Sequence, residues 1–401
     1  MAYAILKKTS ERSLSMEFQQ VLANLQKAKQ AQKKKQQRLL FIAVPIGFVI
    51  GLLIAFSEEL FSSVDNVYPL YLLAAFLLTM SLQLILHELG HLVFGLVCGY
   101  RFVSFRVTSL AIIKKNGKLK LARYRVPGTL GQCLMSPTQN DDVMPYRAML
   151  LGGVLFNAIT ALLFVIPLVF CYHLTLLRYF SFGMIFCGVT LALSNGIPQK
   201  NGAVANDGYH VKILPQDSTA RQLFFNQLRI AAATTEGKRL SEMPKEWFTL
   251  PPNAPLDPIS ATIILMDAER EIDLGKLDSA ENILLDLATC GDNLSEQTLL
   301  AALAELLYLE MVGKHRRDVI EILRHELERY FKATQNSFST LRIEIAYHYL
   351  FTGDLDKIQR LDKKFSKLKK RFPFDGEVAH EELLINYPKA LYESWRNSSQ
   401  G

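Results

Sequence analysis

His87-Glu88-Leu89-Gly90-His91 places two imidazoles one helical turn apart, with a carboxyl beside the first. Side chains four residues apart leave a helix of 3.6 residues per turn on one face, so both rings can reach a single metal ion. Imidazole nitrogen suits Zn²⁺, and a carboxylate next to such an ion can take the proton of a water. That is the donor set of a metal-dependent peptidase, with Glu88 as its base. The run around the pentad is apolar on every side, with Leu82, Leu84, Ile85, Leu86, Leu89, Leu92, Val93 and Phe94. A surface helix carrying two solvated histidines keeps a polar face. The setting therefore favours a metal site below the membrane surface, where titratable groups are costly and mark function.

A catalytic zinc site has three protein ligands and an open fourth position. The other histidines help little: His173 falls on the far side of the membrane, and His315, His325, His348 and His380 lie in the polar C-terminal half. The best third donor is Asp207 in Asn206-Asp207-Gly208, which follows Leu193-Ser194-Asn195-Gly196-Ile197-Pro198; His210 is its rival. An Asp-Gly turn is the plain alternative. Gly196, Pro198, Gly202 and Gly208 break the helix here, and broken backbone at membrane depth is tolerated where it lines a cavity. Gly152-Gly153 and Asn157 form another polar interruption. The Asn157 amide can donate to a developing oxyanion or hold a substrate strand, or it can bond a neighbouring helix.

These residues need membrane elements to position them. The chain has 401 residues, 50% of them hydrophobic, and a formal net charge of +7. Four stretches are long and apolar enough to span, at about 39–57, 69–99, 149–172 and 176–197. The second would be roughly 45 Å long if wholly helical, so it must tilt, break or project. Lys33-Lys34-Lys35-Gln36-Gln37-Arg38 precedes the first stretch, and Arg101, Arg106, Lys114, Lys115, Lys118, Lys120, Arg123 and Arg125 lie between the second and third. By the positive-inside rule both face the cytoplasm. Residues 57–66 hold Glu58, Glu59 and Asp65 and no Lys or Arg, so they face outward. Four spans then return both termini to the cytoplasm, in a layout that suggests a bacterial plasma membrane.

The N-terminal stretch lacks the small-residue cleavage site of a signal peptide. Residues 13–38 read as a basic amphipathic helix on the anionic inner leaflet or as a solvated tail. Cys98, Cys133, Cys171, Cys187 and Cys290 are scattered without a CxxC, against both a disulfide framework and a thiolate metal site. Asn116-Gly117, between apolar runs in 101–126, signals a hairpin, which could offer an edge strand to an extended substrate or simply anchor at the membrane surface. Pro127 to Pro137 reads as an irregular loop.

From about Pro215 the chain turns charged and helical, with a Pro-rich break at 251–258. Three helical hairpins follow, turning at Gly275, Gly313 and Gly353. Their spacing matches stacked helix pairs and looks like divergent tetratricopeptide repeats, which would hold a peptide or protein partner or act as a plain cap. The expected fold is an all-α dominated membrane protein: about four transmembrane helices, a small membrane-associated β-hairpin and a soluble α-helical repeat domain. Its divisions are a basic N-terminal helix at 1–38, a transmembrane metalloprotease domain at 39–214, a connector at 215–258 and the helical-repeat domain at 259–401.

The pentad at 87–91, Gly152-Gly153-x-x-x-Asn157, and Asn195-x-x-Pro198 leading to Asp207-Gly208 together resemble the site-2 protease family of intramembrane zinc metalloproteases, over roughly residues 69–210. The resemblance implies that His87, His91 and Asp207 bind Zn²⁺ and that Glu88 is general base and then proton donor. It also implies cleavage in or near a membrane-spanning helix of a protein or peptide precursor. The spacer from Gln199 to Asn206 is longer than in the family's usual form, and no stretch resembles a PDZ domain. A second function class keeps the fold without the chemistry: a catalytically silent scaffold, or an export or immunity partner, binding through the helical repeats. A metal transporter would need further His or carboxylates along the spans, and they are absent. The expected partners are the membrane substrate, the lipid bilayer and a partner of the helical repeats, with no nucleic acid.

Overall fold

The computed structural model describes residues 16–34, 37 and 68–398, with short interruptions at 127–128, 140–143, 172, 202–203, 253 and 291–293. The first expected span, 39–57, lies outside the described residues. Helix α1 covers 16–34. Helix α2 (Tyr68–Val97) runs unbroken through the histidine pentad. Its polarity is inverted relative to a soluble helix. Thr79, Gln83, His87 and Glu88 are buried, whereas Leu73, Leu77, Leu78 and Leu96 are exposed. That is the arrangement lipid demands, with polar groups turned toward the bundle interior.

Helix α3 (Arg147–Leu163) continues after Phe164 into α4 (Val165–Phe170), and α5 (Thr175–Gly196) completes the bundle. Pro167 accounts for the interruption, because it lacks the N–H that would bond Leu163 and its ring crowds that carbonyl. Residues 73–97, 147–170 and 175–196 are long and apolar enough to cross a membrane, so three spans stand among the described residues where the full sequence suggests four. Helices α2 and α3 touch backbone to backbone, since a Cβ on Gly90 would overlap the Gly152 carbonyl and the reverse also holds.

Four antiparallel strands follow the first of these spans: β1 (Arg101–Val107), β2 (Leu110–Lys115), β3 (Lys118–Arg123) and β4 (Gly131–Ser136), in the order β3-β2-β1-β4. The expected hairpin is β2–β3, turning at Asn116 and Gly117 with φ of 51° and 75°. Both values are left-handed, as a two-residue turn with the twist of a hairpin requires. The structure corrects the reading of 127–137 as irregular, because β4 lies within it. Leu134, Met135 and Ser136 are buried consecutively, so the strand lacks the period-two pattern that announces one.

Beyond α5 a two-stranded hairpin, β5 (Lys200–Asn201) and β6 (Val204–Ala205), leads into α6 (Asp207–Ile213) and then α7 (Ser218–Thr235). Leu223, Phe225 and Ile230 of α7 share a core with Met135 of β4, Met149 and Leu150 of α3, and Ile259 and Ile263 of α8 (Pro258–Asp273). The expected connector thus includes a core element joining the bundle to the C-terminal helices. Those helices pair as expected: α8 with α9 (Leu277–Thr289), α10 (Glu296–Val312) with α11 (Arg317–Ala333), and α12 (Phe338–Tyr347) with α13 (Leu355–Lys369), before α14 (Asp375–Ser398). Gly275 and Gly353 turn with φ of 74° and 65°; at the middle turn the left-handed residue is His315.

Helix α1 does not present its apolar stripe to lipid or solvent. Phe18, Val21, Leu22 and Leu25 enter the core formed by Leu284, Leu299, Leu303 and Leu323. The Asn24 amide donates to the carbonyls of Ala288 and Thr289 at 2.9 Å each, and Lys29 pairs with Glu326 at 2.8 Å.

A polar network holds the C-terminal helices in register. Buried Arg342 donates from Nε to Glu381 at 2.7 Å and from Nη2 to both oxygens of Glu305 at 2.7 and 2.8 Å, linking α10, α12 and α14. Asp273 accepts from Arg239 and the Ser241 N–H and lies 3.2 Å from His380 Nδ1. Burial opposes charge on both members of that pair, yet His380 and the Ser241 N–H hold Asp273 at about 2. Against the same desolvation, Asp273, Glu381 and Glu269 raise His380 above its ordinary 6.5. The stability His380 contributes is therefore complete below pH 6.5 and is lost as pH rises through its folded value. His380→Gln should lower the melting temperature of the purified protein most below pH 6.5, with the gap to wild type narrowing as pH is raised. A gap constant from pH 5 to 9 in calorimetry would refute the pairing.

Candidate metal centre

His87, Glu88 and His91 are all buried on the inner face of α2. His87 Nδ1 lies 2.7 Å from Asn157 Oδ1, and His91 Nδ1 lies 2.8 Å from the Met149 carbonyl. Both partners are acceptors, so each ring carries its hydrogen on Nδ1 and leaves a lone pair on Nε2. The two Nε2 atoms are 3.2 Å apart, and Asp207 Oδ2 is 3.4 Å from each. Among the described residues no hydrogen-bond donor reaches that buried carboxylate oxygen. A tetrahedral ion with bonds of about 2.0–2.1 Å holds its ligand atoms roughly 3.3 Å apart. Three lone-pair atoms facing one another at this spacing repel unless a cation lies between them, so the residues fit Zn²⁺. Among the described residues this is the one cluster of His, Cys, Asp and Glu able to hold a metal.

Sequence sets this geometry locally. A Cβ on Gly153 would stand 2.6 Å from His87 Cε1 and 2.7 Å from His91 Nε2, so only glycine lets the α3 backbone flank both rings. One turn before His87, the Gln83 side chain accepts from Asn157 Nδ2 at 2.8 Å and from Thr160 Oγ1 at 3.1 Å, and donates to the Met184 carbonyl at 2.9 Å. Gln83 thereby ties α2, α3 and α5 together behind the site. Sequence reasoning missed it, although a lone amide four residues before the first ligand in an apolar run was the available signal. Asn157 spends its other bond from Nδ2 on the Gln83 carbonyl, also at 2.8 Å. Both its amide hydrogens are thus engaged away from the metal-facing side, which opposes the expected use of Asn157 as an oxyanion donor and favours support of His87.

Asp207 arrives from α6 despite the long spacer. Asn206 Oδ1 accepts from the N–H of Gln199 at 2.9 Å and of Tyr209 at 3.0 Å, while its Nδ2 donates to the carbonyls of Ser194 at 2.8 Å and Ile197 at 2.6 Å. The extra residues leave as the β5–β6 hairpin, and Asn206 closes its base. His210, the rival ligand, lies instead against the rings of Tyr209 and Phe224, with centroids 6.0 and 5.2 Å away. Glu88 stands beside the three candidate ligand atoms without joining them, against the backbone of Gly131 at the start of β4.

The model of peptidase family M50 matches residues 75–362, more than half of the chain and inclusive of every residue of this centre. The chain belongs to peptidase family M50. M50 is the site-2 protease family, so at family level this is a membrane metalloprotease, and its apolar helices are consistent with that setting. No curated protein and no solved structure matches the chain.

The supports of the ligands carry their own test. Asn157→Ala should weaken zinc binding by about 10–100-fold, the usual loss when a ligand histidine is left unoriented. Gly153→Ala should lower zinc content further, because its methyl enters the space of both rings. Elemental analysis of the purified variants reads both effects, and full zinc occupancy in Gly153→Ala would contradict this arrangement.

Proposed function

We propose that this M50 chain is a zinc-dependent intramembrane endopeptidase that cleaves in or near the membrane-spanning segment of a membrane-bound protein or peptide precursor, in regulated proteolysis, signalling or peptide maturation. The observation that carries this reading is the convergence of His87 Nε2, His91 Nε2 and Asp207 Oδ2 next to a buried glutamate. Zinc, when bound, supplies Lewis acidity to the carbonyl and to water. His87, His91 and Asp207 hold it, with the Asn157 and Met149 oxygens fixing the two rings. Glu88 accepts the proton of the attacking water on its carboxylate and passes it to the leaving amine nitrogen as the C–N bond breaks. The apolar walls of α2 and α3 keep bulk water from this exchange. A peptide must be extended to be cut, and β4 is an outer strand whose first residue touches Glu88, so the substrate strand is proposed to run along the sheet near β4. The scaffold alternative gains nothing from a site whose three ligand positions all converge.

Glu88→Gln should abolish cleavage of a membrane-inserted substrate in proteoliposomes while zinc content stays at the wild-type level, because Glu88 is a base and not a ligand. Turnover persisting in that variant would end the mechanism.

Both termini are proposed to face the cytoplasm of a bacterial cell. Support comes from α1, which packs on the C-terminal helices, and from Lys115 of the basic sheet, which pairs with Asp375. Helix α1, the sheet and the C-terminal helices therefore share one face of the bundle. Exposed Cys290 is the natural reporter. It should resist a membrane-impermeant maleimide in intact spheroplasts and react after lysis; the opposite order would reverse the topology.

A further inference from the structure

Arg106 is fully buried on the central strand β1, yet no carboxylate pairs with it among the contacts of the described residues. Its Nη1 donates to the Thr108 carbonyl at 2.8 Å, and its Nη2 donates to Thr129 Oγ1 and, at 3.4 Å, to the Gly131 carbonyl. Burying a cation is expensive, and this one meets only neutral oxygens through Nη1 and Nη2 while its Nε has no hydrogen-bond partner among the described residues, which invites a reason for its being there. The reason lies in what those oxygens belong to. Thr129 and Gly131 lead into β4, and the Gly131 backbone is packed so closely on Glu88 that a Cβ there would overlap the carboxyl. Arg106 therefore fixes the segment that walls the glutamate on the side of the sheet.

The other side of the guanidinium is also occupied. It lies 5.7 Å from the centroid of the Tyr124 ring, and that ring packs edge-on against Phe374 at 5.0 Å and Phe372 at 5.9 Å. Both phenylalanines come from the link between α13 and α14, and the Lys115–Asp375 pair fastens the start of α14 to the end of β2. An unbroken line of contacts thus runs from the C-terminal helices through Tyr124 and Arg106 to Gly131 and Glu88.

We propose that Arg106 is a positioning residue for Glu88, and that Phe372 and Phe374 of the C-terminal helices set the position of Arg106. Through this line a change at the C-terminal helices alters turnover without touching the metal ligands. The inference rests on the peptidase reading for its catalytic consequence. Contact alone does not establish coupling, so the test is a double-mutant cycle.

Arg106→Lys keeps the charge and loses the fork that reaches three oxygens at once. Phe374→Ala removes the remote end, with Phe374→Leu read in its place if the alanine variant yields no folded protein. Each single variant should lower kcat about tenfold or more, the scale of a small misplacement of a reacting group, with KM and zinc content unchanged. The double variant should be no slower than the slower single. Amide exchange at residues 129–133 should speed up in both single variants. Additive losses, wild-type kcat in the Phe374 variant, or unchanged exchange at 129–133 would each overturn the proposal. If the wild-type chain itself cleaves nothing, the peptidase reading falls, and the exchange measurement still decides the coupling by itself.

Discussion

A polar atom taken into the bundle is costly unless it finds its partner there, because neither lipid nor a packed apolar core replaces the hydrogen bonds of water. The site follows from that demand. His87 gives its Nδ1 hydrogen to Asn157, Asn157 gives both of its own to Gln83, and Gln83 gives one to the Met184 carbonyl. His91 is matched by the Met149 carbonyl. When these pairings are complete, two imidazole lone pairs and one oxygen of Asp207 are left facing one another. That remainder of unmatched acceptors is what a cation would satisfy, so the second layer of hydrogen bonds defines the candidate metal site as much as the candidate ligands do.

The same demand explains why the backbones come so close. Direct bonds between α2 and α3 require the two backbones to cross closely, hence the mutual contact of Gly90 and Gly152 and the bare Gly153 beside the rings. Farther out the logic changes from matching polar atoms to burying apolar ones. Met149 is the hinge between the two, since its carbonyl holds His91 while its side chain joins the core of α7 and α8. The C-terminal helices are thus packed onto the protease bundle and not merely tethered to it. Their own interior returns to polar matching around Arg342, Glu305 and Glu381, where removal of one partner would strand a buried charge.

What could be read in the sequence was local. The pentad, the Gly152-Gly153 pair with Asn157, and Asp207-Gly208 declare themselves through residue type and spacing, and Asn116-Gly117 announces its turn through two left-handed positions. The turns at Gly275 and Gly353 were legible for the same reason. What could not be read depends on contacts between distant segments. The apolar stripe of α1 has the same letters whether lipid or protein covers it, and only Leu284 and Leu303, far along the chain, decide for protein. β4 is hidden because it is buried on both faces toward its end. Spacing brings Asn157 to the candidate site but leaves its task open, since the direction of its amide depends on Gln83 on another helix.

The spacer before Asp207 shows which of these signals deserves weight. Counting residues from Pro198 to Asp207 makes the third ligand look displaced, because the count assumes that chain length sets position. It does not do so once a loop is closed at its base. Gln199 and Asn206 are bonded in both directions, with the Asn206 N–H donating to the Gln199 carbonyl at 3.2 Å. Everything between them is an excursion whose added length is entropically cheap. The position of Asp207 is then set by its neighbour Asn206, which reaches back to Ser194 and Ile197 and caps α6 in the same stroke. A side chain delivered by a capped helix tolerates insertions before the cap and not within it, so the asparagine next to the aspartate is a better guide to the candidate third ligand than the distance from the proline.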